Sequence, residues 1–155
     1  MESSKKRNRY NRIYKQIKEL LVKSDNILAR KNTVVAVLHN KFDYFFWTGF
    51  YCLKNEKLIV SAYQGPVACM ELEKGTGVCW ASINQQKSII VPDVEKFPGH
   101  IACDSRSKSE IVIPLKNNNG DIVGVLDIDS TELNSFNEID KEELEKIVDL
   151  IYGNK

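Results

Sequence analysis

Apolar residues recur at helical spacing at the start of the chain: Tyr10, Ile13, Tyr14, Ile17, Leu20 and Leu21. Three- and four-residue steps put them on one face, which predicts a helix over about 6–22, with Ser24 and Asp25 as caps for the next element. Val34, Val35, Val37 and Leu38 predict a second helix over about 32–40. His39, near its end, is expected to lie at the surface and complement the helix C-terminus. The period then shortens to two. An aromatic-rich run over 45–54, the polar turn Lys54-Asn55-Glu56-Lys57 and a run over 58–64 predict a hairpin that Gly65-Pro66 ends. A short helix is expected from Thr76 or Gly77 to about Gln85, and a short strand over 88–91 that Pro92 stops. Two further strands, over 110–116 and 121–130, flank Asn117-Asn118-Asn119-Gly120, whose Asn-Gly step is a tight-turn signal. The last helix is expected over about 137–152. Asn137 and Asp140 form a capping box, Leu144, Ile147, Val148 and Ile151 the apolar stripe, and Gly153 lies past the end.

This order predicts an α+β domain: an antiparallel sheet with helices packed on one face and a loop-covered face opposite. No internal repeat interrupts residues 1–155, so one domain is expected. The long loop over 92–108 stands out, because structureless loops of that length in compact domains are often functional.

Side-chain alternation divides the strands into two faces. Phe46, Thr48, Phe50 and Cys52 fall on one face of the first strand; Trp47, Gly49 and Tyr51 fall on the other. In the last strand Ile122, Gly124, Leu126 and Ile128 oppose Val123, Val125, Asp127 and Asp129. In the strand before it Ile111 and Ile113 oppose Glu110 and Val112. Placing the aliphatic set under the helices brings Trp47, Tyr51, Glu110, Asp127 and Asp129 together on the loop side. Asp127 and Asp129 are then about 7 Å apart along the strand. Carboxylates that close repel unless solvated or bridged by a cation, which a ligand ammonium, a metal or a lysine would supply.

Composition narrows the function. Hydrophobic residues are 43% of the 155 and charged residues 28%, the balance of a soluble globular domain. A net charge of +1 gives no field for steering toward nucleic acid or membrane. No apolar run approaches a membrane span, and the start lacks the apolar region of a signal peptide. A cytoplasmic location is therefore expected, with the four cysteines reduced at rest. By alternation Cys52 reads as a small buried hydrophobe. Cys69, Cys79 and Cys103 lie in or beside loops. Cys79 falls in a helix first turn, and Cys103 has His100, Arg106 and Lys108 nearby in sequence; both settings favour thiolate. There is no Cys-x-x-Cys pair and no zinc-finger spacing, so neither a metal nor a cofactor is expected.

Six segments carry a specific resemblance: Trp47-Thr48-Gly49-Phe50-Tyr51, Gln64 to Cys69, Gly77-Val78-Cys79, Gly99 to Asp104, Ser109 to Leu115 and Gly124 to Ser130. In this order they resemble the free methionine-(R)-sulfoxide reductases, single GAF domains, over roughly 10–152. The resemblance implies that Cys103 is the catalytic cysteine, and that Cys69 and Cys79 are resolving cysteines, Cys69 being the first partner. It implies that Glu110 hydrogen-bonds the sulfoxide oxygen, that Asp127 and Asp129 hold the substrate ammonium, and that Trp47 and Tyr51 wall the methyl-sulfoxide end. It also implies free methionine-(R)-sulfoxide as substrate, a thioredoxin-type reductant and a homodimer. Trp80 stands where the family usually has glycine, and a bulky residue there would pin Cys79. The competing readings are a GAF ligand-binding or redox-sensing module without turnover, and a structural interaction domain.

Overall fold

The computed structural model describes residues 1–100 and 103–153; Ile101 and Ala102 of the expected long loop, and the last two residues of the expected domain, lie outside them. Two helices, α1 (Ser3–Leu21) and α2 (Ile27–Lys41), lead into strands β1 (Trp47–Lys54), β2 (Lys57–Gln64) and β3 (Glu71–Leu72). Helix α3 (Gly77–Gln85), strand β4 (Ile89–Val91), a 3-10 turn (Val94–Lys96), strands β5 (Ser109–Lys116) and β6 (Ile122–Ser130) and helix α4 (Glu138–Asp149) come next. The strands form one antiparallel sheet in the order β3-β2-β1-β6-β5-β4. No helix among the described residues is long and apolar enough to cross a membrane.

The local chemistry accounts for most of these boundaries. Asn55 and Glu56 both take positive φ, 50° and 63°, as the two-residue β1–β2 turn requires. The Asn137 side chain accepts from the backbone N–H of Ile139 and Asp140, and Asp140 Oδ2 accepts from Asn137 N–H at 2.9 Å, completing the expected capping box. Helix α2 begins five residues earlier than the apolar pattern indicates. Its cap is Asn26, which accepts from Ala29 N–H, rather than Ser24 or Asp25. Strand β3 escapes the apolar pattern, since two residues are too few to show a period.

The two faces carry separate cores. Phe50, Ile111, Ile113, Leu126 and Ile128 pack with α1, α2 and α4. Trp47, Tyr51, Val112 and Val125 pack with Val78, Cys79 and Trp80 of α3 on the other side. Alternation therefore holds along the middle of each strand and fails at the ends. Phe46 precedes β1 and packs on the α3 side, where the Arg106 guanidinium lies 4.9 Å from its ring centre. Val123 packs toward the helices, beside the irregularity in the β5–β6 register at Leu115/Lys116. His39 does lie in the last turn of α2, but not as a surface group. It is half-buried, its Nδ1 lies 3.0 Å from Thr48 Oγ1, and burial lowers its pKa.

Candidate active site

The sheet register brings the expected residues into one row. Trp47 on β1 faces Asp129 on β6, which faces Glu110 on β5; one step along, Gly49 faces Asp127. The sequence spacing thus places three carboxylates side by side on the loop-covered face. These residues line a cleft closed by the loop after β2, the start of α3 and the loop before β5, which supply Cys79, His100, Cys103 and Asp104.

The aromatic wall depends on one glycine. Trp47 stacks on Tyr51 with ring centres 5.8 Å apart and on Tyr63 at 5.3 Å. A Cβ at Gly49 would collide with Tyr63 Cβ and the Trp47 ring. The wall is tied to the loop after β2: Trp47 Nε1 donates to Pro66 O at 3.1 Å, and Tyr51 OH donates to Cys69 O at 2.9 Å.

Two of the three carboxylates are held out of water, and Asp129 beside them is half-buried. Glu110 and Asp127 are each 6% exposed, and Asp127 Oδ1 has no hydrogen-bond partner. Burial raises the Glu110 carboxyl well above its ordinary range, and the charges of Asp127 and Asp129 raise it further. Burial likewise raises Asp127, and raises Asp129 with help from Asp127 and Asp104. The charged forms of all three are therefore disfavoured together. Cys79 Sγ and oxygens of Glu110 and Asp127 lie within 4.8 Å of one another, so a small cation could lodge there.

The cysteines separate into a pair and two singles. Cys69 and Cys103 form a disulfide with Cα atoms 5.5 Å apart, at the solvent-facing rim of the cleft. Cys79 and Cys52 are free. The thiolate expected at Cys79 does not fit its surroundings. Burial raises its pKa, and Asp127, Glu110 and Asp129 raise it further. Trp80 is buried and donates from Nε1 to Leu72 O at 3.0 Å, so it anchors the turn that carries Cys79. Nor does Arg106 serve Cys103: its guanidinium grips Asp104 at 2.7 and 3.0 Å and lowers that carboxyl to about 2. Burial lowers the pKa of His100, which keeps the ring neutral over most of its range. Cys52 is half-buried with Lys31 Nζ 2.8 Å from its sulfur, so it is not the plain buried hydrophobe expected.

Asp104, Thr76 and Ser107 also line the cleft. They sit in loops or at a helix start, where no period reports side-chain direction.

A family model of the GAF domain matches residues 32–151. The chain belongs to the GAF domain family. Among relatives of this GAF domain, GAF domain-containing protein A of Dictyostelium discoideum is 50% identical over 147 residues, 94% of this chain and 92% of that protein. The free methionine-R-sulfoxide reductase of Escherichia coli is 36% identical over 90% of this chain and 84% of its own. The X-ray structure of free methionine-R-sulfoxide reductase from Neisseria meningitidis, in complex with its substrate, superposes with a TM-score of 0.88. It is 35% identical over 92% of this chain and 86% of that one.

Proposed function

We propose that the protein reduces free methionine-(R)-sulfoxide to methionine, and that residues 1–155 work as one domain. The observation that carries this reading is the pairing of an accessible Cys69–Cys103 disulfide with three carboxylates in one cleft that no lysine or arginine among the described residues pairs with. The relatives and solved structures named free methionine-R-sulfoxide reductase support it.

In the reduced protein the Cys103 thiolate attacks the sulfoxide sulfur. Glu110, kept protonated by burial and its acidic neighbours, gives its proton to the sulfoxide oxygen. The oxygen passes to Cys103 as a sulfenic acid, and methionine leaves with two more electrons. The Cys69 thiol then condenses with the sulfenic acid; water departs and the disulfide forms. An external dithiol of the thioredoxin type restores both thiols by exchange. Cys69 is the first resolving cysteine. Cys79, buried in the turn that Trp80 anchors, acts at most as a later relay. Asp127 and Asp129 hold the substrate ammonium, and Trp47 and Tyr51 wall the methyl end. A peptide-bound sulfoxide lacks that ammonium and would leave the carboxylates unpaired, at a cost of a few kcal/mol. The family resemblance extends the proposal to a cytoplasmic homodimer.

The test is turnover of the reduced protein with free methionine-(R)-sulfoxide, its S epimer and a peptide-bound sulfoxide, driven by a dithiol. Turnover of the free R epimer alone, abolished by Cys103→Ser, is expected. No turnover with the cysteines shown to be reduced would overturn the proposal and leave a GAF sensing module.

A further inference from the structure

The described residues contain two buried lysines, and they are treated differently. Lys6 donates to Asp140 Oδ2 at 2.7 Å. Lys31 on α2 is 6% exposed and has no carboxylate partner among the described residues. Its Nζ lies 2.8 Å from Cys52 Sγ on β1 and 5.8 Å from the centre of the Phe50 ring. Burying an ammonium without a counter-charge is costly. Among the described residues the aromatic face and the sulfur are its only side-chain partners, so the pair has no ready explanation as a stabilising ion pair.

We propose that Lys31 and Cys52 form a covalent modification site, in which a peroxide joins the two side chains by a sulfur–nitrogen bond. Both atoms sit on rigid elements and already touch, so the bond requires no movement of the backbone. Cys52 is half-buried, so a small oxidant can reach its sulfur. Hydrogen peroxide takes two electrons from the Cys52 thiol, giving a sulfenic acid and one water. Lys31 releases a proton to solvent, and its free amine attacks the sulfenyl sulfur. Hydroxide leaves with a proton from nitrogen as a second water. In sum, one thiol, one amine and one peroxide become one sulfenamide and two waters. Two equivalents of a small thiol reverse the step, returning thiol and amine and becoming a disulfide themselves. The product links positions 21 residues apart and staples α2 to the sheet.

Reduced wild-type protein would be treated with hydrogen peroxide, its remaining thiols alkylated, and the protein digested with trypsin for mass spectrometry. The expected product is a peptide pair joined at Lys31 and Cys52, with the summed mass less two hydrogen atoms. Trypsin does not cut it after Lys31, and dithiothreitol separates it. Recovery of Cys52 only as alkylated thiol, sulfinic acid or a disulfide, with trypsin cutting after Lys31, overturns the proposal. Lys31→Arg keeps the cation but removes the amine, and should carry Cys52 on to sulfinic acid. A Cys52 cross-link to another lysine in that variant also overturns it. Should the variant not fold, the wild-type masses still decide. Peroxide should raise the denaturant midpoint of wild-type protein more than that of Cys52→Ser.

Discussion

Two buried carboxylates on opposite faces of the sheet show how differently one side-chain type can be used. On the helix side, Asp140 is 0% exposed and fully partnered. It accepts from Lys6 Nζ, Tyr10 OH and Tyr44 OH, each at 2.7 Å, and from Asn137 N–H at 2.9 Å. On the loop side, Asp127 is 6% exposed, has two acidic neighbours and leaves Oδ1 without a partner. The first arrangement closes α1 against α4 and needs nothing more. The second sets acidic groups against one another, with no lysine or arginine among the described residues paired to them. Burial by itself therefore says nothing about function; the state of the partners does.

The sharpest break of this comparison is Asp140→Ala. It strands the Lys6 ammonium and two phenols in the core, and should cost about 3–5 kcal/mol in urea unfolding. Asp127→Asn should do the reverse. It removes a carboxyl whose charged form burial already penalises, so the protein without substrate should be at least as stable as wild type. Substrate should then bind more weakly by about 1.5–3 kcal/mol, roughly 10- to 100-fold in KM for the free sulfoxide. A loss of stability in Asp127→Asn matching that of Asp140→Ala would put both residues in the same structural class. Gly49→Ala comes next. The added methyl collides with Tyr63 Cβ and with the Trp47 ring, 2.5 Å from Cη2 and 2.9 Å from Cζ3. Overpacking of this kind costs about 1–3 kcal/mol. Because the displaced ring walls the cleft, KM should rise as well, which a purely structural role for the glycine would not produce.

The difference between the two faces was legible wherever a period existed. Strand alternation placed Trp47, Tyr51, Glu110, Asp127 and Asp129 on one face, and the register puts them there. The Asn137–Asp140 box marked the start of α4. Loops and contacts between elements were not legible. The state of Cys79 depends on burial and on three carboxylates brought in by β5 and β6, which the helix turn in the sequence does not display. Arg106 is three residues from Cys103 in sequence, but is committed to Asp104 and the Phe46 ring. His39 is drawn inward by Thr48, a partner nine residues away on another element. Periodicity reports which way a side chain points, not what it meets there.

The smallest expected effect is a pH dependence that separates the two carboxylate sites. Free Asp and Glu titrate near 4, and burial with like charge raises Glu110 in the folded protein. Between those values the folded protein holds a proton that the unfolded chain has released. The contribution of Glu110 is therefore fully present below about pH 4 and is lost as pH rises through its raised folded value, with a slope of about 1.4 kcal/mol per pH unit. In Glu110→Gln no such proton exists. The stability of reduced wild type minus that of Glu110→Gln, from urea melts at a series of pH values, should fall as pH rises from 4. Asp104 works in the opposite sense, since Arg106 lowers it, and both proteins share that term, so it cancels. Free methionine should shrink the fall, because its ammonium stabilises the charged carboxylates that burial penalises. A difference that stays flat with pH, or that methionine leaves unchanged, would mean that the loop-side cluster is as self-sufficient as Asp140, and the contrast between the faces would fail.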